Sequence, residues 1–313
     1  MKVFRSLNSF TKGVKATATI GTFDGVHLGH QKILGRLMEA AKEVGGESVV
    51  ISFHPHPRLV LFPEDNPLRL LQSIDEKIES MRALGIDKLL LIPFTREFAR
   101  LTSHQFIQEV LVNTVGIERI VIGYDHHFGK NRTGGLKELE TGAVEFGFDV
   151  EEIPAEQINN ANVSSTKIRA ALAAGDLNTA ANFTGYHYQL SGKVIKGQQL
   201  GRQLGWPTAN IHPHDPVKLI PAEGVYLASI EIAGKLHHGM LNIGKRPTVG
   251  TGLPVGIEIN IFDFEQDIYD QDVKLKFLDY IREDKKFDSL EELKDAIAQD
   301  KVDALKLLAK RNG

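Results

Sequence analysis

"ATATIGTFDGVHLGHQKILGRLMEAAKEVGG", residues Ala16–Gly46, decides how the first half of this chain is read. Ala16–Gly21 is short, apolar and rich in β-favouring residues, so it predicts a strand. From His30 the texture changes. Ile33, Leu34, Leu37, Ala41 and Val44 fall on one helical stripe, and Gly45-Gly46 ends it. Between strand and helix lies Gly21–His30, with His27 and His30 spaced three apart. A helix that starts near His27 puts both imidazoles on the face of its first turn. Helix starts also present unbonded N–H groups and the positive end of the dipole, where anions bind. Gly29 lets a phosphate or a base come close to the backbone there.

The same alternation continues downstream. Ser48–Phe53 predicts a strand, and Ser73–Gly85 a helix with a Ser73/Glu76 capping box. "KLLLIPF" is a strand, and "TSHQFIQEVLVNTVG" a helix capped by Thr102 and Gln105. "RIVIGYD" and "FDVEEIP" are strands, while "LKELETGAVEFG" and "STKIRAALAAG" are helices. Strand alternating with helix predicts a parallel sheet covered on both faces, a Rossmann-like α/β domain. Ligands of such sheets sit beyond the carboxyl ends of the strands. Three histidine-bearing loops fall at such ends: Gly21–His30, "HPHP" at 54–57 and "GYDHHFG" at 123–129. "VSSTKIR" (163–169) adds a second helix start with nearby positive charge.

Beyond Gly175, "GDLNTAANFTGYHY" is small and polar and predicts a linker with a little local structure. From Gln189 the strands become short and turn-rich: "LSGKVIKG", "GVYLASIEIAGK", "HHGMLNIG", "GIEINIFDF" and "VKLKFLDYI". They predict a mostly β domain, a closed or nearly closed six-stranded barrel, ending in a helix capped by Ser289 and Glu292. Asp300-Lys301 predicts a break in that helix. The expected boundary divides the chain into 1–183 and 184–313.

Composition narrows the function. The chain has 313 residues, long enough for two domains, and 42% hydrophobic residues give it an ordinary globular balance. It has no cysteine, which removes disulfides, thiolate metal sites and a thiol nucleophile. A net charge of −3 without a basic run argues against a nucleic-acid partner. No stretch has membrane-span length and the first ten residues lack a signal-peptide core, so a cytoplasmic location is expected. His54, His56, His126 and His127 match no zinc spacing.

In the second half, "GKVIKGQQLGRQLGWPTANI" is glycine-rich and basic but is not a Walker A loop. Thr208 and Asn210 lie two apart on one face of an extended segment, and such neutral oxygens suit Mg²⁺ when phosphates and waters complete the octahedron. In "GIEINIF", Ile257, Ile259 and Ile261 face one way, Glu258 and Asn260 the other.

H-x-G-H followed by S-S-T-x-I-R resembles the nucleotidylyltransferase superfamily, although class I aminoacyl-tRNA synthetases carry a related signature. The ordered set "IGTFDGVHLGHQ", "FHPHP", "GYDHHFGKNR" and "SSTKIR", then "GxxxGRxLGxPTAN", "NIGxRPT" and "IExNIFDF", is similar to the bacterial bifunctional riboflavin kinase/FMN adenylyltransferases over essentially the whole chain. The resemblance implies that riboflavin, ATP and Mg²⁺ give FMN in the second domain. It implies that the first domain converts FMN and ATP to FAD. Gly21, Phe23, Asp24, His27, Gly29 and His30 would hold ATP. Ser164, Thr166 and Arg169 would hold the phosphates that leave as pyrophosphate. His54 and Asp125 would lie near the flavin, with Phe128 either on a flavin or base ring or buried in the core. Where relatives carry an aromatic-arginine pair after Asp125, this chain has His126-His127, leaving Arg132 as the nearest arginine. In the second domain Lys196, Gly201, Arg202, Thr208 and Asn210 would bind Mg-ATP, with Arg246 assisting. Glu258 would be the base for the ribityl hydroxyl. Ahead of it, "GTGLPVG" is shorter and richer in glycine than expected of the family, so the resemblance does not extend to a lid there. Two rivals stay open: a different adenylylating enzyme, for which the β domain has no role, and a flavin-binding regulator without turnover.

Overall fold

The computed structural model describes all residues except 65–67, 156–162, 198–200, 202–204, 246–254 and 313. The chain forms two compact units: Met1–Arg69 with Ile74–Ser164, and Leu70–Ser73 with Ser165–Gly313.

In the first unit six strands form one sheet: β1 (Lys2–Phe4), β2 (Ala16–Ile20), β3 (Ser48–His54), β4 (Lys88–Pro93), β5 (Ile117–Gly123) and β6 (Asp149–Ile153). Their spatial order is β1-β4-β3-β2-β5-β6, and every pairing is parallel. Alternation along β3 divides the core between the two faces. Val49 and Ile51 pack with Phe106, Ile107, Val110 and Leu139; Val50 packs with Leu34, Leu37, Ile78 and Met81. Each fully buried Leu or Ile contributes roughly 1.5–3 kcal/mol. The helices that cover the sheet include α1 (Leu28–Glu43), the short α2 (Pro57–Leu61), α3 (Ile74–Leu84) and α5 (Leu136–Phe146). A further helix, α4 (Ser103–Phe106), has the Thr102/Gln105 capping box expected of it. It then runs on as a π-helix over Ile107–Val115, a widening that pattern reading did not anticipate. Strand β1 also went unread; it is only three residues long and sits at the sheet edge beside β4.

The second unit opens with α6 (Ser165–Ala173) and α7 (Leu177–Thr184). The local structure expected in the linker is a helix of two turns, Leu177–Thr184. Asp176 accepts from the Thr179 N–H at 2.9 Å, Gly185 ends the helix in the left-handed region, and Leu177, Ala180 and Thr184 are buried. Six strands then close a barrel: β7 (Gln189–Ile195), β8 (Ala209–Pro213), β9 (Gly224–Ile232), β10 (Lys235–Lys245), β11 (Val255–Ile261) and β12 (Asp272–Arg282), in the order β10-β11-β8-β7-β12-β9. Closure removes the exposed sheet edges. The last helix, α8 (Leu290–Asn312), is continuous through Asp300-Lys301, contrary to the break expected there. Asp300 is only 5% exposed, and the Arg282 guanidinium grips both its oxygens at 2.7 Å, so its charge stays paired within the packed helix. Leu70–Ser73 belongs to this unit because its backbone pairs with Val217–Leu219, and the buried Lys218 donates to the Leu71 carbonyl at 2.7 Å.

Candidate active sites

The parallel order β3-β2-β5 sends the loops after these strands out of one sheet edge. They are the three histidine-bearing loops. In the first, His27 is the N-cap of α1, where the sequence places the helix start, and its Nδ1 accepts the His30 N–H at 3.4 Å. That acceptor role leaves Nε2 to carry the proton of neutral His27. The two imidazoles stack with centroids 3.7 Å apart and planes 17° from parallel. Phe23 meets the His30 ring edge-on at 5.2 Å. Phe23 folds so closely over Gly21 that a Cβ there would lie 2.9 Å from its ring, so the glycine makes the turn possible. The turn is strained: Phe23 and Val26 sit at φ +46° and +31°, flanking Gly25 at +85°. Such positions cost of order 1–3 kcal/mol each and cluster at functional sites. Asp24, His27 and Gly29 are buried in it.

Burial, then the charges of His27 and of Lys77, hold the His30 pKa well below the ordinary imidazole value. His30 is therefore neutral near pH 7. Its Nδ1 is occluded and has no hydrogen-bond partner among the described residues.

His54, at the end of β3, is exposed, as is Asp125 after β5. Phe128 is 6% exposed and lies in the core cluster with Phe106 and Leu139, while His126 stacks on its ring at 5.9 Å. The pKa of His126 is pushed down to about 4, mainly by burial; Asp125 opposes the shift, and His127 and Arg132 add to it. His56, one of the histidines weighed for zinc, instead caps α2 by accepting the Arg58 N–H at 3.2 Å. Among the described residues no cluster of His, Asp and Glu has metal-binding geometry. Ser164 ends the first unit, whereas Thr166 and Arg169 lie in the first turns of α6, which is counted with the second. Thr166 is exposed and Arg169 half-buried.

The second unit brings Thr208, Asn210 and Glu258 together. The Thr208 hydroxyl donates to Glu258 Oε2 at 3.0 Å. Asn210 lies directly opposite Glu258 across the β8–β11 ladder, and Asn242 opposite it on β10. The inward face of β11 carries Ile257, Ile259 and Ile261, all buried, as the alternation predicts. Asn260, on the other face, donates to the Pro207 carbonyl at 2.7 Å and so fixes the strand to the loop before Thr208. Two glycines keep the cradle open. A Cβ at Gly197 would come within 2.3 Å of the Asn210 amide, and one at Gly201 within 2.3 Å of the Trp206 carbonyl. Lys196 is exposed, its ammonium 5.8 Å above the Tyr269 ring. Arg202, Arg246 and most of "GTGLPVG" lie outside the described residues.

Sequence reading missed Lys77. Its position offered a signal, since it interrupts the apolar stripe of α3 between Ile74, Ile78 and Met81. A lysine on an inward stripe is rare unless paired.

A parallel-sheet unit with an H-x-G-H helix start, followed by a β barrel with a Thr-Asn-Glu cluster, defines a two-domain ATP-dependent transferase. Residues 11–167 match the FAD synthetase family and residues 184–308 the riboflavin kinase family. The chain is 39% identical to the bifunctional riboflavin kinase/FMN adenylyltransferase of Pseudomonas fluorescens over 93% of both chains. It is 38% identical to the Haemophilus influenzae protein of the same name, over 96% of this chain and 97% of that one. A crystal structure described as a macrolide-efflux protein of Streptococcus pneumoniae aligns with a TM-score of 0.84 and 30% identity, over 96% of this chain and 97% of that one. Efflux is that protein's description; among the described residues here no helix is long and apolar enough to cross a membrane. The chain belongs to the bifunctional riboflavin kinase/FMN adenylyltransferase family.

Proposed function

We propose that residues 184–313 phosphorylate riboflavin to FMN with Mg-ATP, and that residues 1–183 adenylylate that FMN to FAD in the cytoplasm. The observation that carries this reading is the Thr208–Glu258 hydrogen bond at 3.0 Å, with Asn210 opposite Glu258 in the ladder. These groups come from segments about fifty residues apart, and they are the ones the kinase step requires. The ribityl 5′-hydroxyl is neutral, so Glu258 accepts its proton as the oxygen bonds to the γ-phosphorus and ADP leaves. Thr208 commits its own proton to Glu258, which leaves lone pairs on its oxygen. With the Asn210 carbonyl oxygen it offers a neutral donor pair that fits Mg²⁺. When bound, Mg²⁺ supplies charge neutralisation on the β- and γ-phosphates. Lys196 and Gly201 bind the nucleotide, a role the sequence motif assigns to Arg202 as well.

The adenylyl transfer needs no comparable base. The FMN phosphate is already an anion; its oxygen attacks the α-phosphorus of ATP as the bond to the β-phosphate breaks and pyrophosphate leaves. His27, His30 and the N–H groups around Gly29 receive the developing charge, with Gly21, Phe23 and Asp24 shaping the turn. Ser164, Thr166 and Arg169 hold the departing phosphates. His54 and Asp125 flank the flavin, and Phe128 forms the floor under His126. Purified full-length protein given riboflavin, ATP and Mg²⁺ should yield FMN and then FAD by chromatography. Flavin binding with neither product would leave the regulator reading standing instead.

A further inference from the structure

Lys77 has no part in the reading just given, yet it is 7% exposed and its Nζ donates to the Thr22 carbonyl at 2.7 Å. Thr22 sits between the end of β2 and the strained Phe23–Val26 turn. Backbone in sparsely populated regions persists only where its surroundings overdetermine it. Other groups tie the same turn. Ser52 Oγ reaches the same carbonyl only at 3.4 Å, Val26 N–H meets the Phe23 carbonyl at 3.4 Å, and Gln31 Nε2 meets the Val26 carbonyl at 2.9 Å. Lys77 adds a charged donor to them, at 2.7 Å. The buried Asp24 acts on it through its charge: desolvation lowers the Lys77 pKa, and the charge of Asp24 works against that. The same ammonium acts on His30, together with His27.

We propose that Lys77 is a positioning residue of the adenylyl-transfer site: its buried ammonium fixes the Thr22 carbonyl and thereby the turn that sets His27 and His30 at the start of α1. A second effect follows from its charge. A cation fixed on the Thr22 carbonyl disfavours a proton on His30, so the ring meets the nucleotide as a neutral hydrogen-bonding group. The groups that bear on His30 are His27 from its own helix, Lys77 from α3 and, through Lys77, Asp24 from the turn. The inference rests on the assignment of this loop to ATP in the FMN-to-FAD step.

Full-length Lys77→Met tests it, with riboflavin phosphorylation in the same molecule as internal control. A reacting geometry displaced by about 1 Å loses roughly 10²-fold in rate. The kcat of FAD formation should fall by about that factor, with KM for ATP changing far less and phosphorylation within twofold. The His30 ring signals should titrate at higher pH than in the parent. If the methionine variant does not fold, Lys77→Arg decides. It keeps the charge but displaces the donor, so FAD formation should drop while His30 titrates as before. A folded Lys77→Met with unchanged kcat, or with an unmoved His30 titration, overturns the inference. Failure of the parent protein to convert FMN to FAD would instead overturn the functional reading beneath it.

Discussion

Under the proposed function, the two sites handle the same co-substrate with opposite equipment. Around α1 the protein assembles stacked imidazoles, a strained turn, buried Asp24 and Lys77, and a helix N-terminus. Around β8 and β11 it places one carboxylate against a hydroxyl and an amide, on the strand face opposite the buried isoleucines. The difference follows the nucleophile. A phosphate oxygen arrives charged and needs only orientation and a place for charge to accumulate; an alcohol must also lose a proton. The first site is accordingly built into the sheet edge, where the backbone is overdetermined. The second is built on strand faces, where cross-strand register aligns three side chains.

The comparison breaks most directly at Glu258. Glu258→Gln keeps the shape and removes the base, so FMN formation should fall by about 10²–10⁴-fold. FAD formation from supplied FMN should continue at the parent rate. Loss of both activities would mean that the carboxylate is not confined to one reaction. His30→Ala is the mirror experiment, and about 10²–10³-fold is expected from loss of one transition-state donor. Here FMN should accumulate from riboflavin while FAD does not, and the two variants mixed in one tube should restore FAD synthesis. A mixture that makes no FAD would refute the division of labour.

Much of this was legible before any coordinates. The strand-helix alternation gives the parallel sheet, and the histidine loops fall at strand ends because topology leaves them no other edge. The alternation in 257–261 orients Glu258 correctly, because period two is the strongest signal a strand carries. What stayed hidden is non-local. Nothing near Leu70 announces that it pairs with Val217–Leu219, or that Lys218 will bury its ammonium on the Leu71 carbonyl. The continuity of α8 depends on Arg282, eighteen residues before Asp300. Lys77 stands on the inward stripe of α3 with Ile74, Ile78 and Met81, but its partner, the Thr22 carbonyl, is fifty-five residues away. The helix over Leu177–Thr184 is concealed by small polar residues whose caps, Asp176 and Gly185, were the better guide.

Thr208 sharpens the contrast on a smaller scale. Its hydroxyl both donates to Glu258 and, in the functional reading, faces the metal-bound nucleotide. A hydrogen bond to a charged group contributes roughly 1.5–3 kcal/mol, or about ten- to a hundredfold in rate if it is fully used in the transition state. Thr208→Val should lower kcat/KM for phosphorylation within that range, and Thr208→Ser should recover most of it. Equal activity of valine and serine variants would show that the hydroxyl is a packing contact only.

The smallest effect is on stability and concerns His126, which stands where relatives of this chain are expected to carry an aromatic residue. Its pKa lies at about 4 in the folded protein, against an ordinary 6.5. Between those values the unfolded chain takes up a proton that the native state refuses, so stability rises with pH across that window and is lost as pH falls through it. Above pH 6.5 the group is neutral in both states and contributes nothing to the slope. Carboxylates titrate in part of the same window, so the informative quantity is the difference between parent and variant. Thermal melts of His126→Gln should converge on those of the parent above pH 7 apart from a constant offset, and decline less steeply between pH 6.5 and 4. Parallel curves throughout would mean that His126 titrates as an exposed imidazole, and that its stacking on Phe128 does not shield it from water.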